Sequence, residues 1–341
     1  MSDHLTQIIQ TITSGEVAPQ AEMEEAFDII MDGAASPAQM AAFMVGLKLR
    51  GEAVSDITAG AAVLRRRCVS ISAPAGAMDI VGTGGDSHAT YNISTATAFV
   101  VAGCGVPVAK HGNKAVSSLS GAADVLSSLG ITLDCPMEQV EQALRDAGIC
   151  FLMAPRHHAA MRHVGPIRAE LKIRTIFNLL GPLSNPAFVQ HILIGVYEAS
   201  WCRPFAEALQ ALGTRSAWVV HGADGLDELS TTGVNQITAL KDGAITQFEL
   251  SPADFGLATA SLADIKGGTP DENAAALRSV LAGETGAYRD IVLMNAAAAL
   301  MAAGRAETIE GAMAMATSSI DTGAAAGALA GLVSATNQTT K

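Results

Sequence analysis

The chain has 341 residues, 49% hydrophobic and 16% charged, with a net charge of −12 at pH 7. That length and apolar content exclude a disordered chain and allow one large folded domain or two, and the acidic balance excludes a general nucleic-acid surface, which needs a basic footprint. Cys68, Cys104, Cys135, Cys150 and Cys202 are odd in number, scattered and without a CxxC pair, which speaks against a disulfide framework or a thiolate zinc site and fits a reducing, cytoplasmic setting.

Met1-Ser2-Asp3-His4 shows no basic stretch followed by an apolar run, so no leader or membrane anchor is expected. Leu5, Ile8, Ile9 and Ile12 recur at helical spacing and Gly15 stops them; Met23, Phe27, Ile30 and Met31 mark a second helix ending at Gly33. Ser36-Pro37 is a cap followed by proline at the first helical position, and Met40, Phe43, Met44 and Leu47 continue that face. A fourth helix is predicted from near Ser55 to about Arg67. The first 70 residues or so therefore form an all-helical unit.

From Ala77 the texture changes. Short apolar runs at 78–82, 106–109, 131–133, 149–153, 191–196 and 216–221 alternate with helix-like stretches at 94–103, 121–129, 137–147 and 201–212. This alternation predicts an α/β domain with a mainly parallel central sheet. Residues 165–190 carry helix signals interrupted by Gly181-Pro182 and Asn185-Pro186, as expected of a hinge or crossing segment. Runs at 234–240 and 244–250 flank Lys241-Asp242-Gly243 and predict a hairpin. From 271 the chain is helical again; the Ala-rich runs 296–303 and 323–332 are too short to span a membrane and are expected as buried helices. The expected division is a helical domain of residues 1–72 with part of 165–190, and an α/β domain of 73–164 and 191–341.

Four segments carry chemistry. Asp79-Ile80-Val81-Gly82-Thr83-Gly84-Gly85-Asp86 puts three glycines directly after a strand and runs through Thr90, Asn92, Ser94 and Thr95 into a helix. Such a loop lets backbone N–H groups approach a phosphate at a helix N-terminus, although its spacing is neither that of a Walker A loop nor that of the dinucleotide fingerprint; a plain tight turn is the alternative. Lys110-His111-Gly112-Asn113-Lys114 followed by Ser117, Ser118 and Ser120 offers ammonium groups and small donors at the end of another strand, where such folds place ligands. Gly225-Leu226-Asp227-Glu228-Leu229 sets two adjacent carboxylates on a loop. They are either surface charges contributing little to folding or, beside a pyrophosphate, ligands for Mg²⁺, which binds through few carboxylates plus phosphate oxygens. Arg168 precedes Arg174-Thr175-Ile176-Phe177-Asn178 and offers either a bidentate carboxylate contact or a helix-surface ion pair.

In order and spacing the chain resembles the anthranilate phosphoribosyltransferases over nearly its whole length, through the helical start, GTGGD, NIST at 92–95, KHGN with its serines, APRHHAAM at 154–161, RTIFNLLGPLSNP, GLDELS and GGTPDENA at 267–274. The resemblance implies a Mg²⁺-dependent transfer of the phosphoribosyl group of phosphoribosyl pyrophosphate (PRPP) to anthranilate, at a hinge between the two domains, in a homodimer joined through the helical domain. It implies PRPP contacts from Gly82, Gly85, Asp86, Thr90, Asn92, Ile93, Ser94, Thr95, Lys110, His111, Gly112, Asn113, Lys114, Ala115, Val116, Ser117, Ser118 and Ala122. Ser94, Asp227 and Glu228 would bind two Mg²⁺ ions. Gly82, Asn113, Arg168 and His158 would meet anthranilate. No general base is implied; His157, His158 and His163 lack zincin spacing and are expected in packing, with His158 the one that lines the aromatic substrate's path. Leu119 stands where many relatives carry a basic residue, which speaks against a direct pyrophosphate contact from that position but not against the resemblance as a whole. Two other readings are a pyrimidine nucleoside phosphorylase and a catalytically silent nucleic-acid-binding relative; Asn113 and the RTIFNLLGPLSNP segment speak against the first, the net charge and the Asp227-Glu228 pair against the second.

Overall fold

The computed structural model describes residues 2–85, 88–114 and 120–338. Helices α1 (Ser2–Thr13), α2 (Gln20–Met31), α3 (Pro37–Arg50) and α4 (Val54–Arg67) come first. The Ser36 hydroxyl accepts from Gln39 N while the Gln39 side chain accepts from Ser36 N, so the predicted cap is a complete capping box ahead of Pro37. The four helices bury the predicted apolar faces, and α1 packs on α3 and α2 on α4.

A seven-stranded sheet follows, made of β1 (Met78–Gly82), β2 (Val108–Gly112), β3 (Ile149–Met153), β4 (His191–Gly195), β5 (Ser216–His221), β6 (Asn235–Lys241) and β7 (Ala244–Leu250) in the order β3-β2-β1-β4-β5-β6-β7. The first five are parallel and the last two form the predicted antiparallel hairpin. Between its first five strands run α5 (Ile93–Gly103), α6 (Ala122–Ser128), α7 (Met137–Asp146), α8 (Ala154–His157), α9 (Gly165–Leu171), α10 (Phe177–Leu183) and α11 (Cys202–Ala211). The tail adds α12 (Pro270–Leu281), α13 (Ala287–Ala302), α14 (Ile309–Asp321) and α15 (Ala324–Thr336). The molecule is thus a helical N-terminal domain joined to an α/β domain. Among the described residues, no helix is long and apolar enough to cross a membrane.

Three expectations are corrected. The second strand starts two residues later than predicted: Pro107 has no N–H for a ladder, and its carbonyl instead accepts from Met78 N at 2.9 Å. Residues 131–133 form no strand, because Ile131 N closes the end of α6 on Leu126 O at 3.0 Å and Thr132 N goes to the Thr336 hydroxyl at 3.3 Å. Gly181-Pro182 does not interrupt α10, which ends only at Leu183; the break comes at Ser184-Asn185-Pro186. Within 165–190, α9 packs on α3 and α10 on α4, so this segment leaves the sheet to join the helical layer.

Candidate active site

The chain runs from β1 outward to β2 and β3 on one side, then returns to place β4 and β5 on the other. Connection order therefore reverses between β1 and β4, which is where open α/β sheets hold ligands beyond the carboxyl ends of their strands. These two strands pair in register from Met78↔His191 to Gly82↔Gly195. Over that last pair sits Asp227, from the loop after β5. A Cβ on Gly82 would lie 2.2 Å from Asp227 Oδ2, and one on Gly195 would lie 1.4 Å from the Asp227 carbonyl oxygen. Two glycines at the strand ends make the seat into which the carboxylate loop descends. The sequence marked Gly82; Gly195 carries no motif and was missed.

Asp227 is only 7% exposed and its Oδ2 accepts from Gly84 N at 2.6 Å. The loop is fixed from behind by Asn295 of α13, which accepts from Leu229 N at 3.0 Å and donates to Leu229 O at 2.8 Å. This corrects the view of Asp227 as a loop charge of little structural weight. Ser94, Asp227, Glu228, Gly195 and Ile80 line one cavity at the switch point, so the three residues expected to hold metal are brought together.

Lys110 supplies a cation from below. It is 3% exposed, and its ammonium donates to Ile80 O at 2.5 Å and to Ser94 Oγ at 3.3 Å. Burial pulls its pKa down, opposed by the nearby carboxylates of Asp79, Glu228 and Asp227. It can reach Ile80 O because β1 and β2 pair only at Met78↔Val108 and then splay. Side chains satisfy the backbone in the gap: Asp79 Oδ1 accepts from His111 N at 3.0 Å, and Asn185 donates to Asp79 Oδ2 at 2.7 Å and to Ala109 O at 2.8 Å. Burial pushes the Asp79 carboxyl up to about 6, against the pull of Lys110. Asn185 is the asparagine of the GPLSNP segment, so that motif pins the crossing segment to the wedge beneath the site.

The other expected residues fall as follows. Thr90 bridges to Lys266, Asn92 stands at the N-cap of α5, and Ser94 lies in its first turn. Ile93 is wholly buried, so its side chain is core and its backbone is the part left to meet a ligand. Thr95 is buried too, and its hydroxyl has no partner among the described residues. Gly112 ends β2, Asn113 and Lys114 are exposed, and Ala122 starts α6, half-buried. Asp86, Ala115, Val116, Ser117, Ser118 and Leu119 lie outside the described residues.

His111 and His158 face each other, ring centroids 5.2 Å apart. Burial, then the neighbouring histidines, lowers His111 to about 3, and the same causes lower His158 to about 4, so both rings are neutral at pH 7. His157 Nδ1 donates to Val69 O at 2.6 Å, and the His163 ring lies against Gly33, so both pack toward the helical domain. Arg168, on α9, is half-buried with its pKa lowered by burial, and it forms no ion pair among the described residues. The helix-surface ion pair is therefore not made. Arg174, the first residue of the RTIFNLLGPLSNP motif, stacks on Tyr197 at 3.8 Å and donates to the Gly85 carbonyl, tying the crossing segment to the glycine loop, where Gly85 has φ +79°.

Among the described residues no group of three or more His, Cys, Asp or Glu side chains is placed to hold a metal by itself. Two carboxylates and a hydroxyl around one cavity fit a Mg²⁺ ion whose remaining ligands are substrate oxygens and water.

Two family models match the chain: the glycosyl transferase family helical bundle domain over residues 6–68, and the glycosyl transferase family a/b domain over residues 75–326. The chain is 56% identical over 337 residues to the anthranilate phosphoribosyltransferase of Parvibaculum lavamentivorans, covering 99% of this chain and 98% of that one. It is 53% identical to that of Methylocella silvestris, covering 98% and 96%. Among solved structures it is similar to the Thermus thermophilus anthranilate phosphoribosyltransferase, with TM-score 0.92 and 41% identity over 97% of this chain and 99% of that one. The Saccharomyces cerevisiae enzyme in complex with PRPP and Mg matches with TM-score 0.90 and 28% identity over 98% of each chain.

Proposed function

This chain belongs to the anthranilate phosphoribosyltransferases, within the glycosyl transferase family, and we propose that its reaction takes place at the switch point between β1 and β4. The enzyme transfers the phosphoribosyl group of PRPP to the amine of anthranilate, giving N-(5-phosphoribosyl)anthranilate and pyrophosphate, the second step from chorismate in tryptophan biosynthesis. It uses Mg²⁺. The observation that carries the location is the seating of Asp227 on Gly82 and Gly195, beside Ser94 and Glu228 and above the buried Lys110.

PRPP lies along the glycine loop and the start of α5, through Gly82, Gly85, Asp86, Thr90, Asn92, Ser94, Thr95 and the backbone of Ile93, and along residues 110–118 with Ala122. Ser94, Asp227 and Glu228 would hold two Mg²⁺ ions, which when bound spread the charge of the departing pyrophosphate. Lys110 adds a fixed positive charge under the same cavity, aimed where negative charge grows as the C1–O bond breaks. Anthranilate is held by Arg168 through its carboxylate, with Asn113, Gly82 and His158 around it. Its aromatic amine is unprotonated at neutral pH and needs positioning rather than a base. That agrees with the neutral rings of His111 and His158.

The site lies between a helical domain of residues 1–72 with part of 165–190 and an α/β domain of 73–164 and 191–341. Two copies associate through the helical domain, whose surface exposes Leu49, Val17 and Val69. The five free cysteines accord with a cytoplasmic setting.

Arg168→Ala should raise the KM for anthranilate by tenfold or more, the direction for losing one side of a desolvated charge pair at ~2–5 kcal/mol, with the KM for PRPP nearly unchanged. Steady-state kinetics with each substrate varied checks this, and a wild-type KM for anthranilate would refute the assignment.

A further inference from the structure

The GGTPDENA segment, remote in sequence from every other motif, has no role in the reaction as described so far. It lies against the loop that enters α5. Thr90 and Lys266 form an antiparallel bridge, Gly267 N donates to Ala89 O at 2.9 Å and Tyr91 N to Ile265 O at 3.0 Å. Within that contact Asn273, 1% exposed in α12, accepts from Gly268 N at 2.7 Å through Oδ1 and donates from Nδ2 to Asn92 Oδ1 at 2.9 Å. The Ser120 hydroxyl donates to the same Asn92 oxygen at 3.4 Å. Tyr288 stacks on Tyr91 at 4.4 Å and donates its hydroxyl to the Asn92 carbonyl at 3.3 Å.

An asparagine amide has two ends of similar shape and opposite hydrogen-bonding sense. The backbone N–H of Gly268 cannot reverse, so it fixes which end of Asn273 is oxygen. The nitrogen of Asn273 must then face Asn92, and the oxygen of Asn92 must face Asn273. The Asn92 amide nitrogen is left pointing toward the Ser120 carbonyl, 3.5 Å away, and the loop after β2.

We propose that Asn273 is a positioning residue for phosphoribosyl binding: through its amide it sets the orientation of Asn92, so that Asn92 offers PRPP a donor. The proposal rests on the reading above that Asn92 contacts PRPP. Asn273→Asp keeps the acceptor for Gly268 but turns an oxygen toward Asn92, whose amide must reverse to meet it.

The test is steady-state kinetics on Asn273→Asp, Asn92→Ala and the double variant, with Mg²⁺ saturating and PRPP and anthranilate varied in turn. The expected result is a rise of about tenfold in the KM for PRPP with Asn273→Asp, the scale of one net hydrogen bond, with the KM for anthranilate within about twofold. In the Asn92→Ala background, Asn273→Asp should add nothing further, because the group it orients is gone. A direct repulsion between the introduced carboxylate and PRPP would persist in that background and would overturn the proposal. A lowered Tm with equal rises in both KM values would do the same, since a merely structural residue behaves so. If Asn92→Ala leaves the KM for PRPP unchanged, the reading of Asn92 fails and the proposal with it. If Asn92→Ala raises it and Asn273→Asp does not, only the proposal fails. Should Asn273→Asp not fold, Asn273→Ser carries the same expectation without the charge.

Discussion

The seat under Asp227 is the feature least visible at the scale of single residues. Gly82 was legible because it opens a glycine-rich stretch, whereas Gly195 stands alone at the end of an apolar strand, and only the register of β4 against β1 reveals that a side chain there would collide with the Asp227 backbone. Gly195→Ala should therefore displace the carboxylate loop. Activity should fall at least a hundredfold, about 2.7 kcal/mol of transition-state stabilisation, with the far-ultraviolet circular dichroism retained; near-wild-type turnover would contradict the seat. The buried histidines give a second prediction. His111 and His158 have folded pKa values of about 3 and about 4, below the ordinary value near 6.5. Between pH 6.5 and those values the unfolded chain binds more protons than the folded one, so stability is full above pH 6.5 and is lost as pH falls, at up to about 1.4 kcal/mol per pH unit for each ring. Asp79 acts with the opposite sign. Its folded pKa of about 6 is raised, so it takes up a proton on the folded side and its contribution grows as pH falls from about 6 toward 4. The urea midpoint should begin to drop near pH 7 and keep falling toward pH 5, with Asp79 offsetting part of the histidine loss below about pH 6. His158→Phe should flatten that slope, and a midpoint independent of pH in that range would refute the neutral assignment.

At the scale of elements, periodicity located the four N-terminal helices and most of the strands, because their apolar spacing is local. It failed at 131–133, where three apolar or β-branched residues look like a strand but spend their backbone groups on the end of α6 and on the C-terminal helix. The crossing segment was legible as irregular, but its attachments were not: Asn185 into the β1–β2 wedge and Arg174 onto the glycine loop are long-range contacts that no local pattern announces. Nor does local pattern show that α10 shares a core with the helical domain. Phe27 of α2 meets Phe43 of α3 edge-on at 5.3 Å and Phe177 of α10 at 5.9 Å, and Phe27 is wholly buried. Phe27→Ala should cost ~3–5 kcal/mol through lost burial and the cavity left behind, measured as a shift in chemical denaturation, and it should loosen α10 as well as α2 in amide hydrogen exchange. A change under about 1 kcal/mol, well below that range, or exchange altered in α2 alone, would show the two layers to be independent.

At the scale of the whole molecule, a chain of net charge −12 binds a polyanionic substrate. The proposed dimer is tested by Leu49→Glu, since Leu49 is 82% exposed on α3; sedimentation should then show monomers, and an unchanged native dimer would move the interface elsewhere. In the proposed site the charge problem is answered locally, by the buried Lys110 and by Mg²⁺ that Asp227 and Glu228 would hold. Without a cation these carboxylates would repel the pyrophosphate; in the proposed site they would be ligands for the ion, so the sign of their effect would depend on it. The most direct measurement is turnover as a function of Mg²⁺ concentration for the wild type and for the Asp227→Asn/Glu228→Gln variant, with folding followed in parallel because Asp227 is buried. The variant should remain folded, lose on the order of a thousandfold in turnover, about 4 kcal/mol, and need more Mg²⁺ for what remains. A folded variant with wild-type turnover and wild-type Mg²⁺ dependence would contradict the account.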